Sequence, residues 1–334
     1  MANCYWIICF LVLSCPFEVY EASAGDSDRL YRSCVEQCEK TGCVGERCFS
    51  RCMSSLDDSS LYLWWKRLDC RSDCRYHCMF DREKVRAELG HGPIKYHGKW
   101  PFRHLYGFQE PLSMVFSALN LVMHFHGLCS FCSLVYYKLP LQPNNKPFYD
   151  YVGLWTIYGL LSINAWFWSA VFHSLDIDLT EKLDYSSAVG LLGYSMIVAI
   201  IRSFGLRHAA AKVMVSAPLI AFTTTHILFL LNYKMDYGWN MKVSVAMGTA
   251  QLLIWSMWAG VTYHPSRWKL WAVVAGGGVA MLLEIFDFPP YRGFLDAHAL
   301  WHASTIPLTY TWWNFIKDDA KYRTSILLTK KKVH

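Results

Sequence analysis

The sequence predicts an all-α membrane protein, a seven-transmembrane helix bundle with an N-terminal disulfide-rich lumenal domain. Three observations carry this. Hydrophobic residues make up 54% and aromatic residues 16% of the 334 positions, which is far from an ordinary soluble composition. Eight cysteines, Cys34, Cys38, Cys43, Cys48, Cys52, Cys70, Cys74 and Cys78, crowd into one stretch near the amino end. Seven apolar runs then follow one another to residue 316, each near the ~20 residues that cross a bilayer.

Residues 1–24 read as a signal peptide. Trp6 to Leu13 forms a short apolar core and Ala22-Ser23-Ala24 an A-x-A cleavage site, although no basic start precedes them. Residues 25–110 follow as an exported domain. Its dense, even cysteine set implies disulfides and an oxidising compartment without fixing their pairing. A zinc site there is disfavoured, because the spacings are mostly C-x3-C or C-x4-C and His77 is the nearby imidazole. C-x3-C pairs suit short helices stapled side by side. The domain ends in an aromatic approach, Trp100, Phe102, Tyr106 and Phe108, of the kind found at a membrane interface.

Residues 111–317 form the membrane domain, with helices expected over 112–136, 151–172, 185–203, 211–231, 241–263, 268–287 and 296–316. An exported amino end and seven crossings leave residues 318–334 as a cytosolic tail. Loop charges agree: connections on the cytosolic side carry thirteen Lys and Arg residues against four on the lumenal side, the bias expected of inward-facing loops. The net charge of +6 therefore reflects topology and not a nucleic-acid surface. Lys331-Lys332-Val333-His334 matches a K-K-x-x retrieval pattern, consistent with traffic between endoplasmic reticulum and Golgi.

This orientation gathers the chemistry on one face. Ser169 and His173, four apart on one helical face, end the second span. Asp184 begins the third, and His298 and His302, also four apart, begin the seventh. Ionisable groups at such positions are costly and tied to function. Three imidazoles around one Zn2+ leave a fourth position for water, whose pKa can fall to about 7. His298 and His302 form a two-ligand edge, and His173 supplies the third ligand from another helix. Asp184 is the candidate to orient or deprotonate that water, and Ser169 to hydrogen-bond the water or the developing oxyanion. A serine hydrolase with Ser169 as nucleophile is the weaker reading, since no G-x-S-x-G elbow surrounds it.

Other polar residues are set aside. His124, His126 and His226 lie within spans and read as interhelical hydrogen-bonders. Glu110, Glu284 and Asp287 stand near the lumenal boundary, where they either shape the site's mouth, bind a cation or form salt-bridged or hydrated helix ends. Asp176 and Asp178 read as a solvated turn. Gly276-Gly277-Gly278 reads as close helix packing.

Ser169/His173, Asp184 eleven residues on, and His298/His302 in the last span resemble the CREST superfamily of seven-helix membrane hydrolases. That group includes alkaline ceramidases and adiponectin-receptor-like proteins. The cysteine-rich domain, Lys99-Trp100-Pro101-Phe102, Gln109-Glu110-Pro111 and Glu284 through Pro290 resemble its branch that remodels GPI anchors. The resemblance implies a GPI-specific phospholipase A2 that removes the unsaturated sn-2 acyl chain in the Golgi. It also implies zinc on His173, His298 and His302, with Ser169 and Asp184 beside the water. GPI-anchored proteins and membrane lipids are then the partners, and the cysteine-rich domain is expected to help admit the glycan. The competing expectations are a ceramidase-like amidase and a non-catalytic seven-helix receptor or GPI-binding escort.

Overall fold

The computed structural model describes residues 23–49, 52, 61–233 and 236–333. Most of the expected signal peptide, and His334 of the terminal motif, lie outside the described residues. The chain divides into two compact units, one ending at Trp100 and taking in Asp236–Lys242, the other formed from Pro101 onward.

In the first unit, Asp28 starts α1 (Arg29–Thr41) by accepting from the amides of Leu30 and Tyr31 at 2.8 and 3.2 Å, which satisfies donors the helix leaves open. Arg82 of α2 (Leu61–Glu88) reaches the same carboxylate at 2.6 Å. Gly42, at φ 71°, ends α1 in the left-handed conformation that glycine adopts without penalty. A two-residue ribbon of β1 (Cys43–Val44) and β2 (Arg47–Cys48) follows. All eight cysteines are oxidised. Cys34–Cys78 and Cys38–Cys74 join successive turns of the paired helices, Cys43–Cys48 closes the ribbon, and Cys52–Cys70 ties the chain to α2. The C-x3-C spacing thus produces the expected helix staples, with Tyr31 and Tyr96 packed edge to face beside them.

Seven helices stand where the seven apolar runs were read. They are α3 (Pro111–Ser133, extended by a π turn over Leu134–Lys138), α4 (Val152–Ser174), α5 (Asp178–Ser203), α6 (Ala209–Asn232), α7 (Tyr237–Val261), α8 (Arg267–Ile285) and α9 (Ala297–Val333). Four of them, α3 with its π turn, α5, α6 and α8, are long and apolar enough to cross a membrane, so this is a multi-pass membrane protein. Two of the others, α4 and α9, carry the polar cluster described below. Outward-facing Val122, Phe125, Leu160, Met214 and Phe222 are exposed, as lipid-facing positions require.

Two helices depart from the apolar pattern. α5 begins at Asp178 instead of 185, because Thr180 reaches back to the Ile177 amide at 3.1 Å and donates to the Leu175 carbonyl at 2.7 Å. Asp184 therefore lies within the helix, not at its start. α9 runs past 316 to Val333 although Lys317-Asp318-Asp319 ends its apolar run. Asp319 is fully buried, paired with Arg202 and accepting from Tyr149 at 2.5 Å. Arg202, read as a loop charge, is thus an interior residue, its guanidinium 4.9 Å from the Trp258 ring.

Close helix contacts occur where side chains are absent. A Cβ on Gly127 would meet the Trp313 ring at 2.2 Å, and one on Gly276 would meet Leu308 at 2.4 Å. Of the Gly276-Gly277-Gly278 run, Gly276 thus packs α8 against α9, as expected of a small residue in membrane helices, whereas Gly277 faces Leu252 of α7 and Gly278 faces open space.

Candidate metal centre

Backbone contacts bring three distant segments together. The loop before α3 clips onto the end of α4: the Glu110 amide donates to the His173 carbonyl at 3.0 Å, and Gln109 Oε1 accepts from the Asp176 amide at 2.6 Å. Pro111 then opens α3 at the position where its missing N–H costs nothing. The Arg103 amide donates to the Gly293 carbonyl at 2.9 Å, anchoring the loop before α9. Asp296 starts α9 by accepting from the Ala299 amide at 2.8 Å. These anchors set His298 and His302, one turn apart, against His173 at the end of α4.

The three imidazoles converge through one kind of nitrogen. His302 Nε2 lies 3.2 Å from His173 Nε2 and 2.9 Å from His298 Nε2. One ligand atom from each of the three lies within 4.8 Å of the others, the arrangement needed to share a metal ion. His173 and His302 are buried, while His298 is 34% exposed and leaves an opening on its side.

The outer nitrogens are engaged. His173 Nδ1 donates to Glu110 Oε2 at 2.7 Å and His298 Nδ1 to Glu284 Oε2 at 2.9 Å. A carboxylate on Nδ1 fixes the proton there and leaves the Nε2 lone pair pointing inward. His302 Nδ1 faces the hydroxyl of Ser117 at 3.4 Å, and that hydroxyl lies 3.0 Å from the Ser169 hydroxyl. With Nδ1–H of His302 donating to Ser117, the Ser117 proton goes to Ser169, and the Ser169 proton is left to point elsewhere. Three inward lone pairs this close repel unless a cation lies between them. The donor set fits Zn2+, which takes neutral imidazole nitrogens and keeps a further position open.

Rings and helix contacts hold the set. Trp166 packs at 5.2 Å against His302 and stacks on Trp301 at 5.9 Å, and Trp301 stacks on His298 at 5.6 Å. Asn120 Nδ2 donates to the His302 carbonyl at 2.9 Å, as does the Thr305 hydroxyl at 2.8 Å. Thus α3 grips the turn of α9 just ahead of Pro307, whose missing N–H loosens the helix there.

Of the five predicted site residues, the fold brings His173, His298, His302 and Ser169 into one connected cluster. Asp184 lies half-buried in α5, with the Ser187 hydroxyl donating to its backbone carbonyl at 2.9 Å, and its carboxylate is not among the converging ligand atoms. Glu110 and Glu284, left open between three roles, are the imidazoles' hydrogen-bond partners. Ser117 was not foreseen, since nothing in an apolar run marks a serine whose partners lie 52 and 185 positions away. His124 is an interhelical hydrogen-bonder, accepting from Trp313 Nε1 at 3.2 Å and facing Thr309 at 3.5 Å. Cys52, Cys70 and Cys74 also lie close enough for a metal, but all three are in disulfides.

Comparison with known proteins gives a consistent result. Residues 60–320 match the Per1-like family. The chain is similar to GPI-specific phospholipase A2-like PGAP3 of Danio rerio, 37% identical over 301 residues covering 90% of this chain and 91% of the relative. It is similar to the protein of the same name from Homo sapiens, 36% identical over 302 residues and 90% of each chain. Protein PER1 homolog of Schizosaccharomyces pombe is 34% identical over 315 residues, covering 92% of this chain and 90% of its own. No solved structure matches.

Proposed function

The chain belongs to the Per1-like family, and from that premise we propose that it is a metal-dependent carboxylic ester hydrolase of the phospholipase A2 type. Its substrate is the lipid of GPI-anchored proteins, from which it removes the unsaturated sn-2 acyl chain during fatty-acid remodelling. The observation that carries this reading is the convergence of three Nε2 atoms at 2.9 and 3.2 Å, each imidazole with its outer nitrogen engaged. The relatives, GPI-specific phospholipase A2-like proteins by name, suggest the substrate class.

His173, His298 and His302 would hold the ion. Zinc there would supply a water whose pKa is lowered to about 7 and a Lewis acid for the ester carbonyl. Glu110 and Glu284 keep the protons of His173 and His298 on Nδ1. Ser169, its hydroxyl oxygen satisfied by Ser117, donates to the ester oxygen as negative charge develops on it. Asp184 takes the proton of the attacking water and returns it to the glycerol oxygen as the acyl C–O bond breaks. The products are a free fatty acid and a lyso-GPI ready for reacylation.

The same reading sets the topology. Residues 1–24 are the leader, 25–110 a lumenal domain, 111–317 a seven-crossing membrane domain and 318–334 a cytosolic tail. The site opens to the Golgi lumen, where GPI-anchored proteins are exposed. Incubating the purified protein with a defined diacyl GPI and with a ceramide, with metal analysis of the same sample, tests the proposal. The expected result is fatty acid released from sn-2 alone by zinc-containing protein. Sphingosine release without GPI cleavage establishes the amidase instead, and a metal-loaded protein that cleaves neither establishes an escort.

A further inference from the structure

A second polar site lies at the other end of α3. From Pro111, beside the histidines, to Lys138 the helix runs 28 residues, about 40 Å at 1.5 Å per residue, so the two ends of this span reach opposite faces of the membrane. Between α3 and α9 at that far end is a cavity of about 580 Å³ lined by Lys138, Lys317 and Lys321 together with Ser130, Ser133 and Asn314. Its one carboxylate, Asp318, is already occupied: Lys269 reaches it at 2.6 Å and the Ser266 hydroxyl at 2.8 Å, both from outside the cavity. Lys321 lies 3.7 Å from the same group, whereas Lys138 and Lys317 make no ion pair among the described residues. Exposed Tyr136 and Tyr137 immediately precede Lys138, which sets this level at the headgroup boundary where such rings collect.

We propose that this cavity binds the headgroup of an acidic phospholipid from the leaflet opposite the histidine cluster, with Lys138, Lys317 and Lys321 on its phosphate oxygens and Ser130, Ser133 and Asn314 donating beside them. An excess of ammonium groups around hydroxyl and amide donors suits an anion with several acceptor oxygens. A basic cavity between membrane helices at the bilayer surface selects lipids that bring such a group to that depth. More than one phosphate suits three lysines, so a phosphoinositide is expected to bind ahead of phosphatidylserine.

The test uses the full chain in phosphatidylcholine nanodiscs doped with phosphatidylinositol 4-phosphate or phosphatidylserine, with native mass spectrometry counting retained lipid. The phosphoinositide should be enriched over phosphatidylcholine. Lys138→Gln, at an exposed position, should weaken retention about fivefold, and addition of Lys317→Gln about fivefold again. Lys317→Arg should restore it, and Lys146→Gln, a loop lysine outside the cavity, should change nothing. Equal retention of all lipids, or a Lys138→Gln protein equal to the parent, overturns the proposal. Displacement of the lipid by inorganic phosphate or a soluble inositol phosphate at matching affinity also overturns it, because the site then takes free phosphate.

Discussion

Glu110 governs how His173 presents itself, and the effect of removing it differs from that of removing a ligand. Glu110→Gln keeps a hydrogen-bond partner at Nδ1 but loses the charge that holds the proton there. Metal affinity should fall about 10- to 100-fold, read by competition with a chelator, while the helices remain folded. Ser169→Ala should behave oppositely, retaining metal and losing about 10²- to 10³-fold in GPI deacylation, the scale of one lost oxyanion donor. Asp184→Ala should likewise give an intact, metal-loaded protein whose cells keep GPI lipids unsaturated at sn-2, measured by lipid mass spectrometry. Loss of metal in Asp184→Ala would place that carboxylate among the ligands. The histidines were legible because i,i+4 spacing at helix ends is itself a signal. Ser117 was not, because its meaning comes from α4 and α9 packing against α3.

At the scale of elements, apolar runs located all seven helices from α3 to α9 but misjudged where α5 begins and α9 ends. In each case a polar group finds a partner that the local sequence does not reveal. Thr180 caps from inside what reads as a loop, and Asp319 is buried against Arg202, 117 positions earlier. That ion pair links α5 to α9 and yields a sharp expectation. Asp319→Ala leaves the Arg202 guanidinium buried without its counter-charge, which costs roughly 3–5 kcal/mol. The midpoint of thermal unfolding in detergent should fall accordingly, and the double variant Asp319→Leu/Arg202→Met should recover much of the loss. In the cysteine-rich unit, the C-x3-C spacing gave helices bridged at successive turns, whereas the pairing emerged only from the fold.

For the molecule as a whole, composition and loop charge made the membrane class legible, and the two histidine groups were joined by counting crossings. That count placed residues 129 positions apart in sequence on one face. Side-chain geometry then added what periodicity cannot supply: inward nitrogens, carboxylates behind two of them, and a hydroxyl relay behind the third. Zinc K-edge absorption on the purified protein reads the metal and its ligands at the three histidines. One zinc per chain with three imidazole nitrogens at about 2.0–2.1 Å and an oxygen in the remaining position, lost in His302→Ala, is the predicted result. A folded, active parent protein without metal, or with sulfur in the zinc shell, would rule out a three-histidine zinc centre.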